Sequence, residues 1–287
     1  MTDPHPIADG VALRPMTAAD LDAAHALSER LHWPHRLADW QFNFQFAQGL
    51  VAERDGEFVG TAQYWPWGEH HATIGLVMVD PRCQGRRIGF RLMQAMLAAL
   101  QDRSVLLHAT AEGRGLYERL GFVRTGEVRQ HQGTALPAPL VALDEGWRLR
   151  PADRHDVAAL AALDAQARGM PRAPLLDALL EQADTVVLDH DGQARGFAML
   201  RRFGRGLNLG PVVAPDAATA KALIAHLVGL NTGKFVRIDV DFDSGLTEWL
   251  ESLGLLRVDA PTVMVRGAPL PIAPDARLFG LVNQALG

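Results

Sequence analysis

The stretch "VMVDPRCQGRRIGFRLM", from Val77 to Met93, decides the fold. It begins as an apolar strand, turns at Asp80-Pro81 and continues as a helix with one apolar face. The turn contains two glycines and two arginines in the sequence "QGRRIG". Backbone amides in the first turn of a helix lack partners and carry partial positive charge. This strand, turn and helix therefore indicate a site for a phosphate group.

Two common phosphate-binding motifs do not fit the turn. A P-loop requires Gly-Lys-Ser/Thr, whereas Gly89 is followed by Phe90 and Arg91. A dinucleotide fingerprint requires G-x-G-x-x-G, and the candidates that begin at Gly113 and Gly204 both lack the last glycine. On local sequence alone, a helix entry with solvated arginines stays open as an alternative interpretation.

Three short motifs recur along the chain in the same order and at nearly one spacing. They are "LRP" at 13–15 and 149–151, the Asp-Gly hairpin signal at 55–56 and 191–192, and "LGF" at 120–122 with "LGL" at 253–255. A fixed spacing of this kind indicates an internal repeat. We therefore predict two copies of one α+β domain, at residues 1–137 and 144–287, with a linker near 135–146. Each copy is expected to contain a mixed sheet.

The first copy resembles the GCN5-related N-acetyltransferase family in two motifs. The acyl-CoA loop of that family reads Gln/Arg-x-x-Gly-x-Gly/Ala, and the loop here begins at Gln84. The second motif is "GLYERLGF", from Gly115 to Phe122. One position departs from the family pattern, since Arg87 stands where the first motif glycine is usual. The resemblance implies two tandem domains, each with a mostly antiparallel sheet flanked by helices.

The resemblance also implies the chemistry and the site. Acetyl-CoA is the implied co-substrate, and its acetyl group is transferred directly to a primary amine. Tyr117 is the implied acid that protonates the departing thiolate. The residues implied to bind acetyl-CoA are Val77, Met78, Val79, Gln84, Gly85, Arg86, Arg87, Ile88, Gly89, Phe90 and Thr110.

The general base is less clearly indicated. Glu69 and His71 are the catalytic candidates, because they lie just before the apolar strand that precedes the loop. His70 and Glu112 are alternative candidates. A polar hairpin end that faces solvent explains Glu69, His70 and His71 at least equally well. The histidine spacing indicates no metal site.

The second copy keeps the order of elements but lacks the site. "LGPVVAP" is followed by "DAATAKAL", which contains no glycine, and Leu250 stands at the position of Tyr117. We predict that this copy does not bind coenzyme A in the usual way. The roles left to it are to wall the acceptor cleft, to recognise the substrate or to mediate assembly.

Composition and net charge indicate which partners, covalent cross-links and location to expect. The net charge is −5 and Cys83 is the single cysteine, so the chain shows no general attraction to nucleic acid and no disulfide framework. No secretory signal or membrane span is visible, and a cytoplasmic location is expected. The expected partner is a small-molecule or peptide amine, with no nucleic acid or membrane. The alternative function is a catalytically silent acyl-CoA-binding or sensing protein.

Overall fold

The computed structural model describes residues 10–287. The prediction that no secretory signal is present concerns the N-terminal segment, and residues 1–9 of it lie outside the described range. The first half of the chain contains β1 (Val11–Pro15), α1 (Leu21–Arg30), α2 (Leu37–Phe44), β2 (Gln48–Arg54), β3 (Glu57–Trp67), β4 (His71–Val79), α3 (Ile88–Leu100), β5 (Ser104–Ala109), α4 (Arg114–Arg119) and β6 (Val123–Thr134).

The second half repeats this order and adds two further strands at its end. It contains β7 (Trp147–Pro151), α5 (Val157–Arg168), α6 (Ala173–Leu180), β8 (Asp184–His190), β9 (Gln193–Phe203), β10 (Gly206–Ala214), α7 (Ala217–Gly229), β11 (Phe235–Asp241), α8 (Thr247–Ser252), β12 (Leu256–Asp259), β13 (Thr262–Arg266) and β14 (Arg277–Gly280). The predicted repeat and the α+β class are confirmed.

The two predicted hairpin turns have the same backbone conformation. Both residues of each turn have positive φ, at 53° and 80° for Asp55-Gly56 and at 52° and 80° for Asp191-Gly192. This is the conformation of the type I′ turn, which follows the natural twist of two antiparallel strands. The Asp-Gly signal therefore fixed both hairpins through local backbone chemistry.

The strands of both halves form one continuous sheet of 14 strands. Twelve lie in the order β1-β2-β3-β4-β5-β13-β6-β11-β10-β9-β8-β7, while β12 pairs with β6 and β14 pairs with β10. The pairs β4–β5 and β10–β11 are parallel, and the other pairs are antiparallel. The mixed, mostly antiparallel sheet is thus confirmed.

The halves exchange strands where they meet. β13 belongs to the second half by sequence, yet it lies between β5 and β6 of the first half. The long strand β6 is shared, because its residues 123–127 pair with β13 and its residues 128–134 pair with β11. The boundaries 1–137 and 144–287 stay a prediction, and β13 crosses from one range into the sheet of the other.

Residues 281–287 are anchored by hydrogen bonds to the rest of the second half. The side chain of Asn208 on β10 donates a hydrogen bond to the Val282 carbonyl at 3.0 Å. The buried guanidinium of Arg172 donates to the carbonyl of Leu286 at 2.7 Å and also to that of Gly287. Arg172 also forms a fully buried ion pair with Asp164. This stretch of chain is therefore held at several points.

One apolar core extends across both halves. It includes Trp40 and Trp65 from the first half and Leu176 and Phe197 from the second, all fully buried. Burial of large apolar side chains is the main favourable contribution to folding, so the halves stabilise each other. Between residues 10 and 287, the helices are too short or too polar to span a membrane.

Candidate active site

The sheet opens between β4 and β5. These parallel strands pair only from His71 to Thr73 on β4, opposite Ser104 to Leu106 on β5. Beyond that point β4 contains an irregularity, where Leu76 has a φ of 53° and the register with β3 shifts. A bulge of this kind bends a strand and turns it away from its neighbour. The carboxyl ends of β4 and β5 therefore diverge and leave a cleft.

The turn between β4 and α3 exposes its backbone amides at the mouth of this cleft. Gly85 and Arg87 both have positive φ, at 77° and 60°, and α3 begins at the next residue, Ile88. Among the described residues, the amides of residues 84–87 donate to no protein acceptor. The amides of the first turn of α3 have no partner within the helix. This set of free donors, with the positive end of a 13-residue helix, suits an anionic ligand.

We call the space between the strands the main cleft. It has a volume of about 1100 Å³ and is lined by β4, the α3 turn, β5 and α4. Its lining contains all but one of the residues predicted to bind acetyl-CoA, the exception being Arg86. The residues brought together are Val77, Met78, Val79, Gln84, Gly85, Arg87, Ile88, Gly89, Phe90 and Thr110.

Tyr117 lies in the wall of the main cleft. It is held on α4, its ring packs edge-on against Phe122, and it is 8% exposed. Gly113 makes room for the ring, because a β-carbon there would lie 3.0 Å from Cε2 of Tyr117. Burial raises the pKa of the Tyr117 hydroxyl to about 12. The hydroxyl is therefore protonated at neutral pH and can donate a proton.

A smaller space, which we call the adjoining cavity, opens beside the main cleft. It has a volume of about 300 Å³ and lies between the two halves. The α1–α2 connection forms one wall, and the tip of the β9–β10 hairpin forms another. Gly204 at that tip donates its amide at 2.9 Å to Asp39 on α2, which follows the connection. The two spaces share the lining residues Trp33, Gly75, Leu76, His108 and Thr110.

Three comparisons identify related proteins. Residues 16–122 match the model described as the Acetyltransferase (GNAT) family, and residues 160–280 match that of the Acetyltransferase (GNAT) domain. The uncharacterized N-acetyltransferase YitH of Bacillus subtilis is 31% identical over 220 residues, which are 75% of this chain and 76% of that protein. The chain belongs to the GCN5-related N-acetyltransferase (GNAT) family.

Solved structures show the same tandem fold. A putative acetyltransferase from Pyrococcus horikoshii superimposes with a TM-score of 0.80 at 19% identity, covering 100% of this chain and 99% of its own. A tandem GNAT protein from the clavulanic acid biosynthesis pathway gives a TM-score of 0.63 at 16% identity, covering 90% and 99%. The family match together with this fold makes the protein a tandem GNAT acyltransferase with the general N-acetyltransferase activity of its family. Members of that family generally use acetyl-CoA as co-substrate.

The second GNAT domain has lost the features of the main cleft. The carboxylate of Asp216 caps α7 by accepting from the amide of Thr219 at 2.8 Å, which places a negative charge where the first domain offers free amides. β10 and β11 also diverge after two paired residues, but β14 pairs with β10 from Val212 to Ala214 beside that opening. Leu250 is fully buried in α8 at the position of Tyr117. These contacts support the prediction that this domain does not bind coenzyme A in the usual way.

The two residues predicted as the general base, Glu69 and His71, lie away from the main cleft. Glu69 is exposed in the β3–β4 turn, and His71 begins β4. Neither residue lines the main cleft or the adjoining cavity. His71 precedes Leu76 in the bulge by five residues, or roughly 17 Å of extended strand. The assignment of the base to Glu69 or His71 stays a prediction that their placement does not favour.

Sequence reasoning missed His108 and residues 283–285. His108 lies on β5 and borders both spaces, and residues 283–285 form part of the adjoining cavity. The sequence "SVLLHAT" contains a signal for His108, since a lone histidine interrupts an apolar strand just before Thr110. No sequence signal links residues 283–285 to a site in the first domain. Among the described residues, no group of three or more histidine, cysteine or acidic side chains is arranged to hold a metal ion.

Proposed function

We propose that the protein transfers the acetyl group of acetyl-CoA to a primary amine by direct attack in a ternary complex. One observation carries this proposal: the main cleft is lined both by the α3 turn with its free amides and by the buried side chain of Tyr117. The diphosphate of coenzyme A would accept hydrogen bonds from the amides near Gly85 to Phe90. Its pantetheine arm would run along Val77, Met78 and Val79, where β4 has lost its parallel neighbour.

Tyr117 is proposed as the general acid. The thiolate of coenzyme A leaves the acetyl carbon when the carbon–sulfur bond breaks, and a phenol in the cleft wall can protonate it. The raised pKa of Tyr117 keeps the proton in place until that step. Burial, and not a hydrogen bond to a neighbouring side chain, raises this pKa.

The adjoining cavity is proposed as the site of the acceptor amine. Its volume suits a small molecule or the end of a peptide. Three glutamines line it in a hydrogen-bonded row, since Gln284 donates to Gln130 at 3.2 Å and Gln130 donates to Gln132 at 3.0 Å. The guanidinium of Arg237 in its wall is already paired with the buried carboxylate of Asp239. This lining favours an acceptor with hydroxyl or amide groups over a strongly anionic one.

Release of free thiol from acetyl-CoA tests the proposal. The amine panel comprises 2-phenylethylamine, glucosamine, spermidine and a dipeptide. Tyr117→Phe is expected to lower kcat by about 100-fold or more while the Kd for coenzyme A stays within a few-fold. The control is Tyr64→Phe, because Tyr64 is the other tyrosine and its hydroxyl lies in a separate contact with Gln48. Tight binding of coenzyme A with no thiol released from any amine would instead support the silent sensing protein.

A further inference from the structure

His108 is the titratable side chain common to both spaces. The main cleft contains Glu112 and Tyr117, and the adjoining cavity contains His32, His35 and Asp259, but none of these borders the other space. Of the other shared residues, Trp33, Gly75, Leu76 and Thr110, none can take up a proton near neutral pH. A group that takes a proton during attack must lie where the acceptor meets the thioester. The junction of the two spaces offers His108 for this role.

The main chain of the second domain fixes the tautomer of His108. Its Nδ1 lies 2.7 Å from the carbonyl oxygen of Gln284. A carbonyl oxygen only accepts, so Nδ1 must carry the hydrogen and the lone pair must be on Nε2. The Nε2 atom is shielded from solvent and has no hydrogen-bond partner among the described residues. A buried acceptor without a partner is unfavourable, and an amine N–H beside it would remove that penalty.

The surroundings keep the ring neutral. Burial lowers the pKa of His108 to about 3, and the positive charge of Arg168 on α5 acts in the same direction. The lone pair is therefore available across the physiological range. A base this weak does not deprotonate a free alkylammonium ion, so the amine must enter in its neutral form.

We propose that Nε2 of His108 is the proton acceptor of the reaction and that the Gln284 carbonyl positions it. This inference rests on the proposed function. The amine nitrogen attacks the thioester carbon, a carbon–nitrogen bond forms, and the carbonyl electron pair moves to oxygen. The nitrogen is then positively charged, it becomes strongly acidic as the carbonyl re-forms and an N-protonated amide results, and at that point it passes one proton to Nε2. The oxyanion re-forms the carbonyl, the carbon–sulfur bond breaks, and the thiolate takes the proton of Tyr117. Exchange with water returns one proton to Tyr117 and removes one from His108.

His131 provides a matched control. It lies on β6 with Nδ1 2.9 Å from the Leu255 carbonyl, and its Nε2 is also buried without a partner. An unpartnered Nε2 is therefore not by itself a sign of function. The difference is position, because His131 borders neither the main cleft nor the adjoining cavity.

Kinetics with the best amine of the panel test the assignment. His108→Ala is expected to lower kcat by about 100-fold or more, to leave the KM for acetyl-CoA within about three-fold, and to regain activity when imidazole is added. His131→Ala is expected to keep kcat within about three-fold and to show no response to imidazole. A His108→Ala enzyme with a kcat within three-fold of the wild type would overturn the proposal. A wild type that releases no thiol from any amine would instead count against the proposed function.

A measurement on the unmodified protein keeps the inference testable if His108→Ala does not fold. Nitrogen-15 NMR of histidine-labelled protein reports which ring nitrogen carries the proton. For His108 we expect a neutral ring with the proton on Nδ1 throughout pH 5–8. A proton on Nε2, or a ring that is doubly protonated at pH 6, would overturn the proposal without reference to turnover.

Discussion

Gly75 and Ala285 lie in direct contact across the two domains. A β-carbon on Gly75 would lie 2.8 Å from Cβ of Ala285 and 2.9 Å from its Cα. Non-bonded carbon atoms do not approach this closely, so only glycine lets residues 281–287 rest on β4 beside the bulge. The contact joins the strand that opens the main cleft to a wall of the adjoining cavity.

Gly75→Ala is expected to destabilise the protein by about 1–3 kcal/mol, because either β4 or Ala285 must move. The KM for the amine should rise more than the KM for acetyl-CoA, since Ala285 lines the adjoining cavity. Urea unfolding and steady-state kinetics measure the two effects. Gly115→Ala is the control, because a β-carbon there meets nothing within 4 Å. Equal stability of the two variants would contradict the prediction.

The buried ion pair of Arg172 and Asp164 should be sensitive to the loss of one partner. Both side chains are fully buried, and Arg172 also donates a hydrogen bond to the Leu286 carbonyl. Arg172→Met leaves a buried carboxylate without its partner and should reduce the free energy of unfolding by about 3–5 kcal/mol. The double variant with Asp164→Leu should recover part of that loss, because no isolated charge remains. A single variant that unfolds at a higher urea concentration than the double variant would refute this account.

Replacement by glycine should affect the melting temperature differently at the two arginines of the α3 turn. Arg87 has a φ of 60°, a conformation that is unfavourable by roughly 1–2 kcal/mol for residues other than glycine. Arg87→Gly should therefore keep or raise the melting temperature, although the lost charge should weaken coenzyme A binding. Arg86 is not among the residues with positive φ, so Arg86→Gly should lower the melting temperature. Scanning calorimetry and titration with coenzyme A distinguish these outcomes, and a lower melting temperature for Arg87→Gly would be the contrary result.

His35 should make the folded protein sensitive to acid. Burial lowers its pKa to about 4, and the charge of Arg237 contributes. An unfolded histidine titrates near pH 6.5, so between about pH 6.5 and 4 the unfolded chain binds more protons than the folded one. Stability should therefore fall with falling pH in that window, by up to about 1.4 kcal/mol per pH unit from this residue.

His35→Gln tests the acid sensitivity. The variant should show a shallower loss of stability between pH 6.5 and 4 in urea unfolding, while its difference from the wild type stays constant above pH 7. His108, with a pKa lowered to about 3, should leave a residual slope in the variant. Identical slopes for the two proteins would exclude His35 as a source of the effect.

The sequence by itself determined the features that depend only on residues close to one another in the sequence. The Asp-Gly turns, the internal repeat and the loop from Gln84 to Phe90 follow from local backbone conformation and from hydrophobic periodicity. The loss of the loop in the second domain was equally visible, because "DAATAKAL" contains no glycine. Each of these features needs no contact with a distant part of the chain.

Only the tertiary structure decided which distant segments meet. The sequence "TVMVR" predicts a strand, but its place between β5 and β6 depends on edges formed more than a hundred residues earlier. The bulge at Leu76 sets where the cleft opens, and so it places His108 rather than Glu69 or His71 at the junction. The Gln284 carbonyl reaches His108 from 176 residues away. A hydrogen bond over that separation arises from packing of the two domains, which no local pattern encodes.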